Sequence, residues 1–278
     1  MIPSPDNALC AALSRATTRA LEQAEIFLPP DVVRALEAAR ERETSGIARG
    51  EIENILANIR MAESLRVPIC QDTGVPVVYL TLPPSIPFST ALLDAVAEGV
   101  RVATRTVPLR PNVVDPLTRR NTGDNTAPGM PAIHVRPGEK LAVTVLPKGA
   151  GAENMSRIAM MLPTDTGSVA RFVAETMLIA GGKPCPPVVL GVGIGGTFDG
   201  AAAAAKEVLL EPIDTMTDYE QELLEAVNDL CIGPMGLGGK TTALAVKVKM
   251  AGCHTASLPV AVNVQCWACR RATVEVEW

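Results

Sequence analysis

The chain of 278 residues carries seven cysteines, Cys10, Cys70, Cys185, Cys231, Cys253, Cys266 and Cys269, and only two histidines, His134 and His254. An odd number of widely scattered cysteines does not make a disulfide framework; in a reducing compartment they are thiols or metal ligands. Three of them, Cys70, Cys185 and Cys266, close an apolar, strand-like run or sit at its turn, in "VPICQDTG", "GGKPCPP" and "VAVNVQC". Strand ends and loops are where a fold gathers distant residues into one pocket. Three thiolates can hold a four-iron, four-sulfur cluster and leave one iron without a protein ligand. That iron is a Lewis acid, able to take hydroxyl and carboxylate oxygens. Spacing alone does not select these three cysteines from the seven.

Cys70 is followed directly by Gln71 and Asp72. An amide can donate to a carboxylate, and an aspartate can accept from, or share a proton with, a hydroxyl. The plainer reading of Asp72 is a turn carboxylate that caps backbone N–H groups before Gly74. Cys266-Trp-Ala-Cys269 is a C-x-x-C, the form of a redox pair or of half a zinc site. No second pair stands at zinc-site spacing, and a redox pair usually opens a helix early in its domain, whereas this one lies in a strand-rich C-terminal stretch.

Two further motifs imitate nucleotide sites. "GVGIGG" sets Gly191, Gly193 and Gly196 in a G-x-G-x-x-G frame after an expected strand. The acidic residue that should end a second strand about 20 residues on is missing, and Glu211 at that spacing ends a helical run. A tight strand-to-helix turn explains the glycines. "GPMGLGGKTTAL" supplies Gly239-Lys240-Thr241, but Pro234 stands where the first glycine of a P-loop belongs, after a helical pattern and not a strand.

The elements that must position these residues follow from periodicity. Apolar residues at 3–4 spacing predict helices over "NALCAALSRATTRALEQA", over "PPDVVRALEAARER" and over 47–64, with Ser89 capping another at "STALLDAVAEGVRVATRT". Helices are also expected at 165–180, 199–210 and 217–230. Strands are expected at "VPIC", "VPVVYLTLPP", "AIHVRP", "KLAVTVLP", "PPVVLGVGIGG" and in "SLPVAVNVQCWACRRATVEVEW". The aperiodic "LRPNVVDPLTRRNTGDNTAPGMP" is a long loop of the kind that often carries function. The expected class is mixed α/β: a helical N-terminal region, then a mixed sheet flanked by helices, in a single large domain over 1–278. Hydrophobic residues make up 47% of the chain against 3% aromatics, so the core must be mostly Ala, Val, Leu and Ile. A net charge of −5 with no basic block argues against nucleic acid. No run approaches the ~18 apolar residues of a membrane helix. The N-terminus lacks a basic and apolar leader, so a cytoplasmic protein is expected.

Taken in order, "CQDTG" at 70–74, "KGAGAEN" at 148–154, "GGKPCPP" at 181–187, "GIGGT" at 193–197, "LGGK" at 237–240 and "CHTASLPVAVNVQC" at 253–266 resemble the class I, iron–sulfur fumarate hydratases, which share their fold with the L(+)-tartrate dehydratases. The resemblance runs from about residue 10 onward and covers only the first part of the single-chain members. It therefore implies an α subunit whose C-terminal β domain is a separate polypeptide, in an α2β2 assembly. It implies a [4Fe-4S] cluster on Cys70, Cys185 and Cys266, with Gln71 and Asp72 facing the substrate. Arg110 matches an arginine that clamps a substrate carboxylate, and Gly151 matches a glycine whose backbone approaches the substrate. Gly149 and Asn154 shape that turn. His254 matches a histidine that single-chain members supply across a dimer interface. Leu258 stands where single-chain members have a cysteine that is not among these ligands, and Cys253 and Cys269 are extra thiols whose default is packing.

The activity so implied is a hydro-lyase that reversibly hydrates fumarate to L-malate, a tricarboxylic acid cycle reaction, or an L(+)-tartrate dehydratase. L-malate, L(+)-tartrate and a methylated malate share two carboxylates and an α-hydroxyl, so the residues named do not separate them. The proton-abstracting base is expected on the β subunit. A dinucleotide-dependent oxidoreductase built on "GVGIGG" and a non-catalytic metal-binding assembly subunit are the alternatives from other classes.

Overall fold

The computed structural model describes residues 7–278. In chain order the elements are α1 (Asn7–Ile26), α2 (Pro30–Arg42), α3 (Gly46–Leu65), β1 (Val75–Leu82), α4 (Thr90–Thr106), β2 (Ala132–Pro137), β3 (Ala142–Lys148), α5 (Ala150–Glu153), β4 (Arg157–Met161), α6 (Val169–Ala180), β5 (Val188–Gly196), α7 (Phe198–Glu207), α8 (Asp218–Asn228), β6 (Ala243–Cys253), β7 (Leu258–Gln265) and β8 (Ala272–Glu275). The mixed α/β class holds, but the strands are dealt into two four-stranded mixed sheets instead of one. The chain divides into two compact units. The first is Met1–Pro29, Ile59–Gly149 and Arg270–Trp278; the second is Pro30–Asn58 and Ala150–Cys269.

In the first unit the sheet order is β2-β1-β3-β8. β1 runs parallel to β2 and antiparallel to β3, so Val78 faces Ile133 on one side and Val145 on the other. Leu13, Leu21, Val78, Leu80, Leu92, Val96, Val143 and Val145 form one core, with α1 packed against α4 and against β3 and β8. The spacing that predicted α1 is what it buries: Leu9, Leu13, Ala16, Ala20 and Ala24 return every three to four residues. Ser89 caps α4 as expected, its hydroxyl accepting from Ala91 N–H at 3.3 Å.

In the second unit the order is β4-β7-β5-β6, with β5 parallel to β6 and antiparallel to β7. Val188, Leu190 and Val192 of β5 join Val173 and Met177 of α6 and Leu223 and Val227 of α8 in one core. The alternate residues Gly191 and Gly193 face α7. A Cβ on either would lie 2.0 Å from the backbone oxygen of Ala205 or Ala201. The glycines exist so that α7 can lie directly on the strand.

Three strand assignments depart from expectation. Residues 67–70, "VPIC", form a bend and no strand. Pro68 has no N–H, and Ile69 N–H donates 2.9 Å to Glu25 O of α1, so the segment has no ladder to join. β4 and β6 went unforeseen, and both are edges of the second sheet. β4 is only five residues long and partly exposed, and β6 carries Lys247 and Lys249 inside its apolar run.

Candidate active site

In the first unit the "CQDTG" turn joins α3 to β1. Cys70 is half-buried in the bend and Gln71 is exposed. Asp72 Oδ1 accepts from Gly74 N–H at 3.0 Å and from Asn112 Nδ2 at 3.3 Å, so the turn-capping role read from sequence is present. Gly74 has φ 73°, and a Cβ there would lie 2.6 Å from the Lys148 carbonyl carbon; only glycine lets the turn close on β3. The long loop docks onto this turn. The Thr73 hydroxyl accepts from Arg110 N–H at 3.0 Å and lies 3.3 Å from Arg110 O. Asn125 donates to Arg110 O at 3.1 Å and accepts from Asn112 N–H at 2.6 Å. The exposed Arg110 is thereby fixed, through its backbone, beside Gln71 and Asp72, so three sequence-predicted residues share one locality.

In the second unit Cys185 is exposed and sits at φ 54°, a left-handed conformation that costs a non-glycine residue about 1 kcal/mol. Cys266 is half-buried immediately after β7. Val189 pairs with Gln265, which puts the start of β5 and the end of β7 at one edge of the sheet. Trp267 N–H donates to Cys185 O at 3.3 Å, so the two cysteine loops are joined through the backbone. α5 leads into β4, whose Arg157 is opposite Val262, placing Gly151 at that same end. A Cβ on Gly151 would lie 3.3 Å from Lys183 O. Cys185, Cys266 and Gly151 thus come together. His254 does not join them: Gly196 pairs with Cys253, so the His254 loop is at the opposite end of the sheet. It is exposed, with Nδ1 accepting from Ala256 N–H at 3.0 Å.

The thiols suit a cluster. All seven cysteines are thiols, and Cys70, Cys185 and Cys266 are all accessible in part. Gln265 Nε2 lies 3.9 Å from Cys266 Sγ, so an amide donor stands beside that sulfur. Among the described residues no group of three or more His, Cys, Asp and Glu is gathered for a single metal ion. An iron–sulfur cluster does not require one, because each thiolate takes a different iron. Of the remaining thiols, Cys269 is fully buried and packs as expected, but Cys253 is exposed where β6 runs out, so the packing expectation fails there.

Both nucleotide-like motifs have structural explanations. In "GVGIGG", Gly191 and Gly193 face α7, and the N-terminus of α7 is capped by Thr197 with Asp199 in its first turn, an acidic start that repels phosphate. In "LGGK", the N–H groups of Lys240 and Thr241 donate to the buried Glu43 carboxylate at 3.0 and 2.7 Å. The protein's own carboxylate fills the place a phosphate would take, and the Lys240 side chain is exposed.

Sequence reasoning missed Asn112 and Asn125, which lock the loop, and the buried pair of Glu25 and Arg270. Arg270 Nη1 donates 2.7 Å to Glu25 Oε2, with both side chains 1% exposed. Burial pushes the Glu25 carboxyl up to about 7; the Arg270 charge and hydrogen bond pull it down, and the nearby Asp72 charge raises it further. The Asn-rich loop composition could have flagged the two asparagines. Nothing in the local pattern marks the distant Glu25 and Arg270 as partners.

A family model described as fumarate hydratase (Fumerase) matches residues 14–275. A Methanocaldococcus jannaschii protein named as a candidate L(+)-tartrate dehydratase subunit alpha is 46% identical, over 95% of this chain and 98% of its own length. The L(+)-tartrate dehydratase subunit alpha of Escherichia coli (strain UTI89) is 32% identical, over 90% of this chain and 86% of its own. A Geobacillus stearothermophilus protein named as a candidate class I fumarate hydratase is 35% identical over 90% of this chain, which spans about half of that relative (52%).

Proposed function

The chain belongs to the fumarate hydratase (Fumerase) family, whose members named above are hydro-lyases, and from that premise we propose that it is the α subunit of a [4Fe-4S]-dependent hydro-lyase that reversibly hydrates fumarate to L-malate. The observation that carries this reading is the docking of Arg110, through its backbone N–H and carbonyl, onto Thr73, which ties an exposed arginine to the turn of Gln71 and Asp72 directly after Cys70.

Cys70, Cys185 and Cys266 would hold the cluster. When bound, it supplies a Lewis-acidic iron that polarises the substrate hydroxyl. Arg110 pairs with one substrate carboxylate, for which a planar guanidinium is the matching bidentate donor. Gln71 donates its amide N–H to the same dianion. Asp72, steadied by Gly74 and Asn112, takes a proton from the water that adds in hydration and gives one to the departing hydroxyl in dehydration. Gly151, having no side chain, lets substrate approach the backbone. Together these groups fix substrate geometry before any bond breaks.

His254 serves the site of a neighbouring protomer. Its place away from Cys185 and Cys266 in its own unit, exposed on a loop, supports that role. The base that removes the carbon-bound proton belongs to a separate β subunit, in an α2β2 assembly; two of the relatives above are themselves named as alpha subunits. Residues 1–278 form the N-terminal-type domain of this enzyme, acting in the cytoplasm. Among the described residues no helix is long and apolar enough to cross a membrane.

L(+)-tartrate dehydration is the second reading, favoured by the names of the relatives at 46% and 32% identity. The test is anaerobic reconstitution of the chain with iron and sulfide, together with its β subunit, followed by assays on fumarate, L-malate and L(+)-tartrate. Turnover of fumarate and L-malate, with iron and sulfide retained by wild type and lost in Cys185→Ser, supports the primary reading. Turnover of L(+)-tartrate alone transfers it to the second. Turnover of none, with zinc in place of iron, overturns both.

A further inference from the structure

Glu25, Arg270 and Asp72 form a charged group in the first unit, and only Asp72 has a part in the reaction above. Glu25 is on α1, far in sequence from every motif, and Arg270 leads into β8. Their buried ion pair needs a reason beyond stability, because well-packed apolar residues of similar volume commonly stabilise as much.

Asp72 supplies the reason. Its Oδ1 already accepts from Gly74 and Asn112. Its Oδ2 lies 3.3 Å from the point a methyl on Gly149 would occupy, and Arg270 Nη2 lies 3.8 Å from that same point. Carboxylate and guanidinium therefore border one small gap that the absent side chain of Gly149 leaves open. The Glu25 carboxyl responds to both Arg270 and Asp72, which places all three within electrostatic reach of one another.

We propose that Arg270, seated on Glu25, is a positioning residue that faces Asp72 Oδ2 across Gly149 and fixes the rotation of its carboxylate. With one oxygen held by Gly74 and Asn112 and the other set by the guanidinium, the Asp72 carboxylate meets a transferring proton in one fixed orientation. Glu25 anchors the arginine from α1, and Gly149 is glycine to keep the space between the charges clear. The inference rests on the role proposed for Asp72.

Gly149→Ala tests it without changing any charge, because its methyl forces Asp72 Oδ2 to give way by a few tenths of an ångström. Arg270→Gln and Arg270→Lys complete the set. Each is to be crystallised as the full chain and assayed in the reconstituted enzyme with its β subunit on fumarate, L-malate and L(+)-tartrate. The expected result is a turned Asp72 carboxylate in Gly149→Ala and Arg270→Gln, kcat lower by about tenfold or more with KM little changed, and partial recovery in Arg270→Lys. An Asp72 that keeps its orientation in both variants, or kcat within about twofold of an active wild type, overturns the positioning role. An inactive wild type overturns the hydro-lyase reading instead, and the orientation of Asp72 in the crystals then decides the positioning role by itself. Should Arg270→Gln not fold, Gly149→Ala carries the test.

Discussion

The two units bury carboxylates for different purposes. In the first, Glu25 meets a guanidinium. In the second, buried acids hold backbone: Glu43 takes the N–H groups of Lys240 and Thr241, Asp31 that of Ile213, and Glu220 those of Thr217 and Val248. The electrostatics diverge accordingly. Burial raises the Glu25 carboxyl to about 7 in spite of Arg270. Burial also works against Glu220, yet the N–H groups of Thr217 and Val248 and the Lys247 charge hold it below the usual carboxylate range. Glu220, bonded to peptide N–H groups and to Lys247, clamps a loop and stays ionised, whereas Glu25 depends on the single partner Arg270.

The thiols and the polar site residues repeat the contrast. Asp72 and Arg110 are placed by side-chain networks through Thr73, Asn112 and Asn125. Cys185 and Cys266 are placed by backbone, through a left-handed residue and the Trp267 N–H.

The strongest way to break this comparison is to remove the guanidinium. Arg270→Met should lower unfolding free energy by about 3–5 kcal/mol, because it leaves the buried Glu25 carboxyl without its partner, and the double variant with Glu25→Met should recover much of that. Urea midpoints of the two variants decide it, and equal losses in both would mean the pair is not a unit.

A second, smaller effect concerns pH. Between its ordinary 4.5 and about 7 the folded chain keeps a proton on Glu25 that the unfolded chain has lost, so this group's stabilisation is full below 4.5 and fades as pH rises through about 7. Glu220 has the opposite sign, its stabilisation being present at neutral pH and lost as pH falls through the carboxylate range. Stability measured from pH 4 to 8 should therefore flatten between about 4.5 and 7 in Glu25→Gln, by on the order of 3 kcal/mol, and over the lower end of the range in Glu220→Gln.

Cutting a loop clamp comes next. Glu43→Ala leaves the buried Thr241 N–H and the part-buried Lys240 N–H without acceptors and should cost about 1–3 kcal/mol, with hydrogen exchange rising at Lys240 and Thr241 before the rest of the chain. The smallest effect is a gain. Cys185→Gly relieves the left-handed backbone and should stabilise the apo chain by about 1 kcal/mol while removing a thiol, so a higher melting temperature with impaired cluster assembly would confirm that backbone strain places this cysteine.

Much of the fold was legible because local rules carried it. α1, α2, α3 and α4 followed from apolar spacing and from Ser89, and β2 matches "AIHVRP" residue for residue. The edge strands β4 and β6 were not legible, since an edge strand is half solvated and need not show an apolar pattern. For the site, the ordered motifs identified the family and named the cysteines, but Arg110 was reached only by resemblance. The hydrogen bonds that bring it to Asp72 span 37 residues.

The amino-acid sequence by itself determined the class, the helices, the free state of the cysteines and the family, because those depend on residue type and on neighbours within a few positions. Tertiary structure alone decided that the strands form two sheets, that the glycines of "GVGIGG" admit α7, that "LGGK" closes on Glu43, and that Glu25 finds Arg270 245 residues away. The physical reason is common to all four. A buried polar group must find a partner and a close approach must find space, and neither partner nor space is written within reach of any local pattern.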